Sequence, residues 1–163
     1  MAGHSALPSN LAAVFAKSTF YAACQAFLTQ RIAAARVEMQ AAQESSNSET
    51  KSSAGDKYET GREMANQERD RHAAQLHEAQ QQLVSLQKIN PEMPSDTVRP
   101  GALVGTSLGL FYISVGAGRL RTAAGQEFMA VSAAAPVVQA LAGLQAGQEA
   151  MFNGKRVQVE VVS

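Results

Sequence analysis

The chain has 163 residues, 45% of them hydrophobic, which is enough to bury one ordinary core or two small ones and excludes disorder throughout. Its 14 Lys and Arg are matched by 14 Asp and Glu, so it lacks the basic excess that gripping duplex phosphates requires. A single cysteine, Cys24, excludes an internal disulfide and a Cys-x-x-Cys metal site, and no apolar run reaches the ~18 to 20 residues of a membrane span.

Residues 1–17 read as a loose lead with no cationic stretch ahead of a long hydrophobic one, and the expected setting is cytoplasmic. From about Ser18 to Glu44 there is no Pro or Gly. Tyr21, Gln25, Leu28, Ile32, Ala35, Met39 and Ala42 alternate four and three apart, the spacing of a coiled-coil seam, which predicts one long amphipathic helix. A second such stretch runs from about Lys57 to Lys88, where Leu76, Ala79, Leu83 and Leu86 continue the seam until Asn90-Pro91 stops it.

Neither stripe can be buried alone, so the two helices are expected to pair as an antiparallel hairpin over residues 18–92. Leu83, Leu86 and Ile89 would then face Tyr21, Cys24 and Leu28, while the inward positions nearer the tip thin to Ala, Gln, His72 and Ala65. At ~1.5 Å per residue such a rod reaches roughly 40 to 48 Å. The stretch Ser45 to Glu63 interrupts the helix-favouring composition with seven Ser or Thr, two Gly and four carboxylates, and residues 45–59 are the expected tip.

After Pro94 the period changes. The runs ALVGT, GLFYISV, GRLRTA, EFMAVS, EAMF and KRVQVEVV are separated by Gly or turn formers, with Asn153-Gly154 a two-residue hairpin signal between the last two. Only residues from about Pro136 to Leu144 have a helical pattern. The expected fold class is therefore α+β, a helical hairpin followed over 97–163 by a small antiparallel sheet of five or six strands with one short helix.

At the tip, Asp56 and Glu59 lie three apart at a helix start, which places both carboxylates on one face. Mg²⁺ prefers carboxylate oxygen and keeps several waters, so such a pair can complete a site whose other ligands belong to a partner. The same residues equally fit helix capping, with Ser53 as N-cap, Asp56 as its capping-box partner and Glu59 favouring the positive helix end. His72 and His77 are five apart, outside the spacing of a helical ligand pair, and Cys24 has no activating base nearby in sequence. Gly116-Ala117-Gly118 lies between two strands and reads as a turn.

The segment Ala134 to Val162, AAPVVQALAGLQAGQEAMFNGKRVQVEVV, resembles the C-terminal signature of the bacterial Gre-type transcript cleavage factors, GreA and GreB. The matching positions are Pro136, Ala140, Leu141, Gly143, Gly147 and Glu149. The order of parts, a long hairpin and then a small FKBP-like domain, is similar too. Gly55-Asp56-Lys57-Tyr58-Glu59-Thr60 is similar to the family's Gly-Asp-Leu-x-Glu-Asn tip motif, with Lys57 in place of Leu and Thr60 in place of Asn.

The resemblance implies that the hairpin enters the secondary channel of RNA polymerase, where Asp56 and Glu59 help the polymerase hold a shared Mg²⁺ and orient the attacking water. Such a factor is not itself an enzyme; it stimulates the polymerase's own nuclease activity, and it meets nucleic acid only through the polymerase. Glu49, Lys51, Lys57 and Arg62 are the expected charged tip contacts. Arg119, Arg121 and Gln126 are expected to dock the second domain on the largest polymerase subunits. Tyr112, Phe111, Phe128 and Phe152, with no Trp, are about what a core needs, so that domain is expected to dock rather than to isomerise prolines. Channel occupancy without cleavage, as in anti-Gre relatives, and a coiled-coil adaptor unrelated to transcription are the other two readings.

Overall fold

In the computed structural model the backbone is described for residues 16–51 and 56–163, and side chains for 16–48 and 59–163. Helix α1 spans Lys17–Lys51 and α2 spans Asp56–Gln87. The chain divides into two compact units, residues 16–26 with Ser85–Ser163, and Phe27–Val84.

Phe27–Val84 is a pair of helices. Leu28, Ile32, Ala35, Ala42 and Ser46 are buried on α1, and on α2 Ala65 and Ala79 are buried with Arg69, His72, Leu76 and Leu83 half-buried. These α2 positions alternate four and three apart, as the seam requires. The helices run antiparallel, because partner numbers on α2 rise as those on α1 fall. Ser46 donates to Asn66 Oδ1 at 2.8 Å, Arg69 donates to Gln43 Oε1 at 3.1 Å, and His72 Nδ1 lies 2.9 Å from Glu38 Oε2.

Two details of the first helix differ from the sequence reading. It does not stop at the Ser-rich stretch: α1 continues through Ser45 to Lys51, because Ser46 is small enough to sit in the seam and Asn66 satisfies its hydroxyl. The side-chain amide of Gln43 also bonds Asn47 one turn on at 3.1 Å. Nearer its start, Cys24 is buried as expected, but its buried neighbour one turn back is Phe20 in place of Tyr21, which is half-buried, and Gln25 is exposed. This part of α1 answers to a sheet face and not to a helix stripe.

That sheet has six strands: β1 (Leu103–Thr106), β2 (Gly109–Ile113), β3 (Gly118–Arg121), β4 (Glu127–Val131), β5 (Glu149–Phe152) and β6 (Lys155–Val162). Their spatial order is β3-β4-β2-β1-β6-β5. Four pairings are antiparallel, but β2 and β4 pair in parallel, with Phe111, Tyr112 and Ile113 beside Met129, Ala130 and Val131. The sheet is thus mixed, and the reason is topological. Leaving β2, the chain passes over one strand position to lay down β3, then turns back so that β4 fills the gap.

Each sheet face has its own apolar layer. Helix α3 (Pro136–Leu141) buries Val138 and Leu141 in a cluster with Val98, Ala102, Val104, Ile113, Val157 and Val159. On the opposite face Phe20 meets Phe128 edge-on at a centroid distance of 4.9 Å and lies tilted against Tyr112 at 6.3 Å. Such aromatic pairs add ~0.5 to 1.5 kcal/mol beyond their buried area. The gap between α3 and the sheet, lined by Phe111, Val137 and neighbours, holds only about 10 Å³, room for no more than one water-sized sphere.

Candidate functional site

The expected tip residues fall at the facing ends of the two helices. Glu49 and Lys51 belong to the last turn of α1, and Asp56 and Lys57 to the first turn of α2. Ser53 and Gly55 lie outside the described residues, as do the side chains of Glu49, Lys51, Asp56 and Lys57. Glu59 and Arg62 are exposed on α2. Backbone positions 56 and 59 are both helical and three apart. Among the described residues no three His, Cys, Asp or Glu side chains come together as a metal site. Asp56 and Glu59 can offer two carboxylates, which suits a metal shared with other ligands and not one held by this chain alone.

The expected docking residues are brought together at one edge of the sheet. Arg119 and Arg121 both project from β3 on the same side, two residues apart, and both are exposed. Arg121 is ion-paired with Glu127 across the β3–β4 ladder, and that hydrogen bond and charge hold the Glu127 carboxyl below the usual carboxylate range. Gln126 closes the turn: its amide N–H donates to Thr122 Oγ1 at 3.1 Å and its side chain to the Glu127 carbonyl at 3.0 Å. Arg119 stands opposite Met129, which in turn stands beside Phe111. A row of one cation and two half-buried apolar side chains therefore crosses three strands.

The sequence reading did not single out Met129 beside Arg119. Alternation along EFMAV carries the signal, but the parallel partner that completes the row does not follow from it. Lys17 was missed as well. It is buried, donating from Nζ to the Met93 carbonyl and, at 3.2 Å, to the Gly101 carbonyl, so it fixes the loop before β1. Burial and the nearby Arg99 push its ammonium below the ordinary lysine range.

The positions that carry the resemblance have local structural reasons. Pro136 occupies the first turn of α3, where its missing N–H costs nothing. Gly143 and Gly147 adopt φ of 78° and 92°, which side chains with a Cβ rarely do, and Gly143 N–H donates to the Val98 carbonyl at 2.9 Å. Leu141 is core, and Glu149 opens β5.

No family model matches the sequence, and no curated protein matches it. Among solved structures, that of the transcription factor Gfh1 is similar with a TM-score of 0.34 and 19% identity, covering 86% of this chain and 93% of that one. At that TM-score the likeness carries no assignment of its own.

Among the described residues no helix is long and apolar enough to cross a membrane.

Proposed function

We propose that this chain is a Gre-like factor that binds RNA polymerase, places its hairpin tip in the secondary channel and stimulates cleavage of the transcript in backtracked complexes. The observation that supports this most is the pairing of two features in one chain. The Ala134 to Val162 segment resembles the Gre signature, and it follows an antiparallel helix pair whose second helix begins with Asp56 and carries Glu59 three residues on. The thin seam of Ala and Ser between α1 and α2 suits a narrow rod that enters a confined channel.

In this reading the polymerase supplies the active centre. Asp56 and Glu59 would add carboxylate oxygens to a Mg²⁺ already ligated by the polymerase and nucleic acid, and either could accept a hydrogen bond from the attacking water. Arg119, Met129 and Phe111, with Arg121 and Gln126 beside them, would form the docking surface. A specific departure favours the second mechanism, occupancy without cleavage: Lys57 lies next to Asp56, and a cation beside the metal opposes its binding.

Co-purification tests the partner. Tagged full-length chain should retain RNA polymerase on the affinity resin, and Arg119→Glu with Arg121→Glu should release it. Retention of no polymerase by the unmodified chain would leave the coiled-coil adaptor as the better reading.

A further inference from the structure

Among the described residues, Asn153 is the only non-glycine residue with positive φ, at 51°. It is followed by Gly154, with φ of 75°, and the two form the turn between β5 and β6, where Phe152 pairs with Lys155. Both are exposed. A Cβ built on Gly154 would meet nothing within 4 Å, so the space beside its α-carbon is open.

We propose that Asn153 is a site of spontaneous covalent modification, converting to aspartate and isoaspartate through attack of its own backbone neighbour. The Gly154 amide nitrogen, losing its proton to solvent, forms a bond to the Asn153 side-chain carbonyl carbon. The carbon–nitrogen bond of the side-chain amide breaks, and ammonia leaves with the proton it takes from water. The five-membered succinimide that results is opened by one water molecule at either of its carbonyls. Opening at one gives aspartate; opening at the other gives isoaspartate, in which the main chain runs through the former side chain.

Three features of the turn favour the reaction. Gly154 has no side chain to hinder approach to its nitrogen. The strand register ends at Phe152 and Lys155, so the reacting peptide lies outside the ladder. The turn is also at an edge of the sheet, since β5 pairs only with β6. Of the other described asparagines, Asn47 is followed by Ser48, Asn66 by Gln67 and Asn90 by Pro91, which has no amide hydrogen to lose.

The isoaspartate product matters to the fold, because it inserts one extra main-chain carbon into a two-residue turn. Phe152 can then no longer stand opposite Lys155 in the same register, and β5, which brings Ala150 and Phe152 against the core cluster, loosens. The new carboxylate also lies next to Lys155 and Arg156, both exposed, and changes the charge of that edge.

The test uses the full-length folded chain, held in neutral buffer below its melting temperature and sampled over weeks. Trypsin releases residues 122–155 as one peptide, in which Asn153 is the only asparagine. The expected result is progressive loss of the intact peptide and the appearance of two acidic forms, one of which accepts a methyl group from isoaspartyl methyltransferase. Residue 153 should convert before Asn47 does. Gly154→Ala should slow the conversion. An Asn153 that keeps its amide while Asn47 has converted overturns the proposal, and so does a product that is aspartate alone, since direct hydrolysis and not the succinimide would then be the route.

Discussion

The two units of the molecule are held together by different means. Around the sheet, Phe20, Tyr112 and Phe128 fill one face, and Val104, Ile113, Leu141, Val157 and Val159 fill the other. Between α1 and α2 in Phe27–Val84, the inward positions beyond Leu28 and Ile32 are mostly alanines and polar pairs: Ser46 with Asn66, Gln43 with Arg69, Glu38 with His72. At about 25 cal/mol per Å² of apolar surface removed from water, large side chains dominate stability, so the sheet unit should set the melting behaviour. The helix pair gains less per residue and depends on matching small groups. A segment of that kind can vary at its end without putting the fold at risk.

The sharpest way to break this contrast is to remove the ring that covers the sheet. Phe20→Ala deletes both aromatic contacts and leaves a cavity over Tyr112, and it should lower stability by roughly 3 to 5 kcal/mol, read from urea unfolding. A loss near zero would mean that the start of α1 is not packed on that face.

Next comes an alkaline effect from the same layer. Burial raises the Cys24 thiol above its ordinary 9.0 and the Tyr112 phenol above its ordinary 10.0, the Ser114 hydroxyl only partly offsetting the first. In both cases the native state keeps a proton that the unfolded chain gives up. The stabilisation is therefore complete below the unfolded values and is lost as pH rises above about 9 to 10. Lys17 acts in the opposite sense: its lowered value means that the unfolded chain holds the extra proton, so its contribution improves with pH over the same window. The Tyr112 shift is the large one of the three, so unfolding midpoints should fall between pH 9 and 11, and Tyr112→Phe should flatten that fall. Tyr112 Oη is buried with no hydrogen-bond partner among the described residues, so the substitution should cost little at pH 7. A steeper fall in the Tyr112→Phe chain would contradict the account.

Smaller still is the expected effect in the helix pair. Ser46→Ala removes one buried hydrogen bond and leaves Asn66 to solvent, a change of about 0.5 to 1.5 kcal/mol that should appear as faster amide exchange in Phe27–Val84 with the sheet amides unchanged. Equal acceleration in both units would show that they unfold as one.

Much of this was legible in the sequence, for reasons that differ by region. Gly and turn formers divide the C-terminal half into short runs, so all six strands and the Asn153-Gly154 turn follow from local chemistry. The order of the strands does not, because nothing in GRLRTA says that β3 will leave room for β4 beside β2. The α2 seam was legible because Leu76, Ala79 and Leu83 keep strict spacing. On α1 the period misled twice, and each time a tertiary partner decided. Phe20 is selected by the sheet in place of Tyr21, with Gln25 left exposed, and Asn66 lets Ser46 carry the helix into a stretch whose composition suggests a loop. The Lys17 bonds to two loop carbonyls were illegible, since the acceptors are backbone atoms more than seventy residues away.

The proposed metal role of Asp56 and Glu59 can be measured as transcript cleavage on a stalled, backtracked elongation complex. With the unmodified chain, cleavage should be faster than the polymerase alone achieves. Asp56→Ala with Glu59→Ala should return it to the intrinsic rate while polymerase affinity stays nearly the same, because the proposed docking surface lies on the sheet unit. If these residues only cap α2, the double variant should lose roughly 0.5 to 2 kcal/mol of helix stability and keep its stimulation. Full stimulation by the double variant would contradict the metal role, and no stimulation by the unmodified chain would contradict cleavage in favour of channel occupancy.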